Sequence, residues 1–478
     1  MFLNPFLKLM KLNFFLTFLL VYEISTGPLI IPFKTRINDE ILNKDNIIQF
    51  LVNNDIITNI SFGSQKEKFE ISIKLQNDST FVISDSCPQN NKAKKFNETQ
   101  SDTYDVIVKE SRYFTYAFEY ATLSKDNIIL YLNNINLVRI NNFKFMLGNT
   151  LWYDTEKDMS GILGLKLSNK DDIPKDTDFI TQLKDFNITD SSVFGLEYKE
   201  NNSGFFYVGN YLHEFNKNFS EKDLIKFHAG NKNYKTKEWE IDIDLITNDI
   251  NEENVIVQEE TFLRLYYELG VMASPSFYHD FIKENFFQIY LNKSICQEKI
   301  YVDTVSILDK YEYIVCDKHD FKIESFPPLN FYNRECNFTF SFNYKDLFYE
   351  FDDKFYFLIV FPRYPIDVIY WYVGKPFIKK YKLFLNKYDK IIALYEKEYE
   401  QKENKGKEII IVKKSQSYIL FIVLSVCLLI VLLGVLYYFL VIKKGRKKRA
   451  NELEEDDVDY NISCIVKDQY SPYNVNDS

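Results

Sequence analysis

The chain has 478 residues, more than one ordinary hydrophobic core accommodates, so two packed domains with appendages are expected. Its formal charge of -10, from 58 basic and 68 acidic residues, argues against a nucleic-acid surface and otherwise bears only on solubility. The 43 Phe and 35 Tyr against 14 Gly accompany abundant Asn, Lys and Ile, a bias of AT-rich coding, so an aromatic stripe by itself carries little functional weight.

Residues 1–26 read as an export signal. Lys8 and Lys11 precede the apolar run Phe14 to Tyr22, and the small residues Ser25, Thr26 and Gly27 follow. The run is too short to span a bilayer, which favours cleavage over anchoring. From there to residue 398 short runs rich in Ile, Phe, Tyr and Val alternate with Asn, Asp and Lys clusters, so the body is expected to be all-β.

The stretch Asn59 to Cys87 opens with a short strand through Ile60 and Phe62 and a turn at Gly63. Period-two alternation at Phe69, Ile71 and Ile73 then delivers the chain to Lys74, Leu75 and Gln76, and a third run, Phe81 to Ile83, leaves it. Ala117 to Leu132, with Tyr120 and Ser124, reads as part of a hairpin. Ser160 to Leu165 places two large apolar residues between Gly161 and Gly164, the pattern of a buried strand past which another backbone runs closely. Ser191 to Phe215, which contains Gly209, and Lys237 to Asp244 follow as further apolar segments. Val255 to Leu263 is a further run, with Gln258, Glu259 and Glu260 inside it. Tyr372, Val373 and Gly374 mirror Ile162, Leu163 and Gly164, the mark of an internal duplication.

Residues 399–417 form a linker. Tyr418 to Ile442 contains no charge, and at ~1.5 Å per residue a helix of that length covers about 37 Å, more than the ~30 Å hydrocarbon core. The basic flank Lys443 to Arg449 stays in the cytoplasm by the positive-inside bias, giving a single-pass type I membrane protein of the secretory pathway or cell surface. The cytoplasmic tail is 443–478, and its part from Ala450 to Ser478, acidic from Glu452 to Asp457, is expected to be disordered.

Taken in order, these segments resemble the pepsin-like aspartic protease family over roughly Asn59 to Leu394. The resemblance implies a bilobal fold with an N-terminal lobe at 27–236 and a C-terminal lobe at 237–398. The family's two catalytic aspartates fall on Lys74 and Gln258, its threonines on Leu75 and Glu259, and its loop glycines on Gln76 and Glu260. Tyr120 and Ser124 fall on the tyrosine and serine of the flap, and Gly161, Gly164 and Gly374 on the glycines that support the active-site loops. Pepsin-like hydrolysis needs two carboxyls that share a proton, and Lys74 and Gln258 supply none. Asp78, Glu259 and Glu260 are the neighbouring acids, but a one-residue shift on an extended segment turns a side chain to the other face.

The resemblance therefore implies a catalytically inactive homologue that binds a peptide or protein in the inter-lobe cleft or on its surface. The alternatives are an active aspartic-type endopeptidase with an unusual acid pair and a structural or adhesion glycoprotein. Cys87, Cys296, Cys316 and Cys336 precede the predicted span, Cys427 lies in it and Cys464 follows it, leaving more than one pairing open. Cys316 resembles the first cysteine of the family's second-lobe disulfide, with Cys336 the nearest partner. His213, His228, His279 and His319 show no ligand spacing with the cysteines, so no metal and no cofactor is expected. Glycosylation sequons stand at Asn59, Asn77, Asn97, Asn187, Asn201, Asn218, Asn292 and Asn337, and a glycan on Asn77 would obstruct a working cleft.

Overall fold

The computed structural model describes residues 28–36, 47–88, 93–112, 118–132, 136–151, 159–167, 177–199, 202–230, 237–248, 255–257, 261–302, 310–363 and 370–395. The body is all-β, with 50% of residues in strands. Among the described residues no helix is long and apolar enough to cross a membrane. The expected signal 1–26, linker 399–417, span 418–442 and tail 443–478 lie outside them, as do Asn201, Gln258, Glu259 and Glu260.

The first half runs through β1 (Leu29–Thr35), β2 (Ile56–Phe62), β3 (Glu67–Lys74), β4 (Phe81–Ile83), β5 (Asp105–Arg112), β6 (Phe118–Tyr131), β7 (Leu137–Leu151), β8 (Gly161–Gly164), β9 (Val193–Tyr198) and β10 (Ser203–Val208). The order β2-β3-β8-β4-β7-β6 closes into a barrel because β6 pairs back onto β2, with Ile60 opposite Leu130. Closure removes free edges, and the interior is filled with rings. Phe62, Phe69, Phe96 and Phe145 meet there edge to face, centroids 5.2 to 6.4 Å apart.

The second half contains β11 (Leu224–His228), β12 (Glu240–Ile243), β13 (Leu245–Thr247), β14 (Val255–Val257), β15 (Thr261–Leu265), β16 (Met272–Ala273), β17 (Cys296–Val302) and β18 (Lys310–Asp317). It continues with β19 (Leu329–Asn333), β20 (Phe338–Phe342), β21 (Phe348–Phe351), β22 (Lys354–Phe357), β23 (Ile359–Pro362), β24 (Tyr370–Val373), β25 (Phe384–Asn386) and β26 (Ile391–Tyr395). The pairings of the first half recur here in sense as well as order. Antiparallel β2–β3, parallel β3–β8, antiparallel β8–β4 and parallel β4–β7 have counterparts in β12–β15, β15–β24, β24–β16 and β16–β23. Antiparallel β7–β6 and β6–β5 are matched by β23–β18 and β18–β17.

One sheet layer joins the halves. Its order, β11-β26-β25-β9-β10-β1, is symmetric about the antiparallel β9–β25 pair, in which Leu385 faces Phe194. By this symmetry β11 is the partner of β1 and groups with the second half. Trp239, fully buried, ties the halves further by donating its indole N–H to the Leu165 carbonyl at 2.8 Å.

The disulfide differs from the expected pairing. Cys316 bonds to Cys296, its direct neighbour across β17 and β18, and Cys336 is free, its thiol 3.3 Å from the Lys226 carbonyl. Strand register, which sequence spacing does not reveal, decides the partner. For a separation of 20 residues, loop-closure entropy predicts that the change of both Cys296 and Cys316 to Ala costs about 3 kcal/mol in urea unfolding. Cys336→Ala should cost about 1 kcal/mol or less. Equal losses at the two places would overturn the assignment.

Candidate functional site

Two loops occupy matching places in the repeat. In the first half β3 ends at Lys74, whose Cα partner is Gly164, and the chain turns through Leu75 to Thr80 into β4. A side chain on Gly164 would put its Cβ 2.6 Å from the Asn77 carbonyl and nearer still to that of Ser79. In the second half β15 ends at Leu265 opposite Val373, and Tyr266 donates its N–H to the Val373 carbonyl at 3.0 Å. A Cβ on Gly374 would lie 2.6 Å from the Val271 carbonyl and nearer to that of Leu269. Matching Gly164 to Gly374 thus matches Asn77 to Leu269, Ser79 to Val271, and Lys74 to Tyr266. Gly161 also needs its missing side chain, because a Cβ there would run into the Phe81 carbonyl.

The second-loop position expected at Gln258 is therefore reassigned to Tyr266. The strand that pairs with Tyr372 and Val373 is β15, with Leu263 opposite Trp371, so the loop follows Leu265. In the same register Gln76 corresponds to Glu268 and Asp78 to Gly270, so the acid nearest the first loop faces no acid in the matching place of the second.

The loops meet across the halves. Gln76 donates from Nε2 to the Leu265 carbonyl at 2.9 Å, and Asn54 donates from Nδ2 to the Tyr267 carbonyl at 3.0 Å and to the Tyr198 hydroxyl at 2.7 Å. Leu75 and Tyr267, at equivalent positions, are both fully buried. Burial pushes the Tyr266 phenol above its ordinary range against the lowering pull of Arg264, so it remains a neutral hydroxyl. Arg264 is itself fixed: Nε lies 2.6 Å from Oε1 of the fully buried Glu240, and the guanidinium stands 4.2 Å from the Tyr370 ring centroid. An amine and a neutral phenol at the matched positions cannot share one proton between two carboxyls.

No family model matches this chain, and no curated protein matches it.

Other site expectations change on inspection. Tyr120 is exposed, but it lies on the arm of the hairpin opposite Arg112 and Thr150; residues 113–117, between β5 and β6, are outside the described set. Ser124 is fully buried and its hydroxyl sits 2.8 Å from that of Tyr104, so it points into the lobe and away from any cleft. Asn77 is 7% exposed, which removes it as a glycan acceptor in the folded protein and with it the expected obstruction. Asn59, Asn187, Asn218, Asn292 and Asn337 are exposed, while Asn97 is half-buried and caps a helical turn by accepting from the Thr99 N–H.

A cluster without a sequence signal also emerges. His279, Glu298 and Glu312 converge from a helix and two strands, with donor atoms within 4.8 Å of one another. Their separations along the chain follow no ligand motif, because the helix Ser276–Ile282 packs beside β23, which pairs with β18, and from there the His279 side chain reaches the glutamates of β17 and β18.

Proposed function

We propose that the body is a pepsin-like fold that has lost its catalytic pair, and that the protein is a membrane-anchored binder of a peptide or protein held between its lobes. The observation that carries this reading is the residue pair at the two matched loop positions, Lys74 and Tyr266, supported by register on both sides. Loop and strand framework persist while the acids are gone, a combination suited to recognition without hydrolysis. The anchor rests on the uncharged run Tyr418 to Ile442 and its basic flank.

The test is peptide hydrolysis by the purified full chain from acid to neutral pH. The expected result is none, since loss of one general acid-base group removes ~10²–10⁴ in rate and the family's pair acts as a unit. The double change Lys74→Asp, Tyr266→Asp should not restore activity, because Gln76 and Glu268 still stand where the loops would need glycine. Acid hydrolysis blocked by a statine-type transition-state mimic, and abolished by Asp78→Ala or Glu268→Ala, would return the protein to the enzymes. For binding, an array of extended peptides should retain the wild-type chain and lose it on Lys74→Glu. Uniform failure of the array to retain either form would remove the cleft from the proposal.

A further inference from the structure

We infer that His279, Glu298 and Glu312 form a binding site for a first-row divalent cation of the zinc type. The donors come from separate elements. His279 lies in the helix Ser276–Ile282, its ring against Phe361 with centroids 4.2 Å apart. In the β17–β18 ladder Ile300 faces Glu312 and Glu298 faces Ile314, which puts both glutamates on one face as diagonal neighbours.

Two carboxylates on one sheet face repel, yet here each is held in a defined rotation. Lys283 takes Oε2 of Glu298 at 2.5 Å, and Nε of Arg363 takes Oε1 of Glu312 at 2.5 Å. The remaining oxygens turn to the same atom: Oε1 of Glu298 is 2.7 Å and Oε2 of Glu312 is 3.8 Å from Nε2 of His279. Donors around a tetrahedral ion with bonds of ~2.0–2.2 Å stand roughly 3.3–3.6 Å apart, so the 2.7 Å contact opens and the 3.8 Å contact closes slightly when the ion enters between them. Lys283 and Arg363 then play the orienting part that outer partners play around metal ligands.

The donor set selects the ion. One imidazole nitrogen with two carboxylate oxygens suits Zn²⁺, Co²⁺ or Mn²⁺, whereas Ca²⁺ requires more oxygens and Mg²⁺ keeps its waters. The side chains of His279, Glu298 and Glu312 are 14%, 24% and 15% exposed, leaving a way in for the ion. The fold does not require this convergence. Phe361 pairs with Glu312, and its counterpart Leu147 pairs with Thr122, so the first copy carries a hydroxyl where the second carries a carboxylate.

The rival is a plain ion-pair network, in which Lys283 and Arg363 balance the two glutamates and His279 needs no metal. Untagged full-chain protein, stripped with chelator and titrated with Co²⁺, distinguishes them. The proposal expects one Co²⁺ per chain with visible ligand-field absorption, displaced by Zn²⁺ and untouched by Ca²⁺ or Mg²⁺. His279→Gln and Glu312→Gln should abolish binding, Lys283→Met should weaken it ~10–100-fold, and His228→Gln should leave it unchanged. Glu298→Gln keeps the shape of the side chain and an acceptor for Lys283, so loss of Co²⁺ in a variant whose circular dichroism is unchanged separates ligation from folding. No Co²⁺ uptake, or uptake that survives His279→Gln, overturns the site. Neither result depends on whether peptides are cleaved or bound.

Discussion

Gly374→Ala should cost more than ~4 kcal/mol and leave the second half of the β body unfolded or nearly so at room temperature. Overpacking a core usually costs ~1–3 kcal/mol because side chains give way. Here the added methyl meets backbone: the Val271 carbonyl at 2.6 Å and that of Leu269 closer still. The loop cannot retreat cheaply, since Tyr266 N–H is bonded to the Val373 carbonyl at 3.0 Å and Lys375 N–H to the Leu269 carbonyl at 2.7 Å. Trp371, fully buried on β24 beside this contact, reports the change by fluorescence in a urea titration. Gly164→Ala should act in the same direction against Asn77 and Ser79. A loss below ~1 kcal/mol for Gly374→Ala would mean that strand and loop are not packed as described.

Lys387→Ala should cost about 3–5 kcal/mol, the usual consequence of removing one partner from a buried pair. Its ammonium is bonded to Asp178, and the two side chains are 6% and 3% exposed. Asp178 also caps the helix Phe179–Asp185 by accepting from the Thr181 N–H at 2.7 Å, so its charge stays in place when the lysine is lost. The double change Asp178→Asn, Lys387→Met keeps a capping acceptor and removes both charges, and it should recover most of the loss. A double-mutant cycle in urea measures the coupling. If the single and double variants lose the same stability, the pair contributes no more than its packing.

How much of this was legible depends on whether the signal was local. The all-β class follows from runs such as β1, where Leu29, Ile31 and Phe33 alternate inward with Pro32 and Lys34 outward. The duplication is legible because Ile162-Leu163-Gly164 and Tyr372-Val373-Gly374 are short and contiguous, with a glycine that close backbone approach demands. The first loop could be placed at Lys74 for the same reason, its flanking strands being near in sequence.

The second loop could not. With acid and glycine both absent, only pairing identifies the position, and the strands concerned, β15 and β24, are distant along the chain. Tyr266 is thus fixed by a non-local hydrogen-bond register, whereas the expectation at Gln258 rested on resemblance alone. The same reason covers Cys296 with Cys316, which a hairpin ladder places opposite each other, and Ser124, whose hydroxyl turns inward to Tyr104. By itself the sequence determined the strand content, the repeat and the place of Lys74 at the end of the first loop strand. Tertiary structure decided which residue faces which across two sheets, because such contacts depend on strand register and on helices packed over them, and neither leaves a period in the chain.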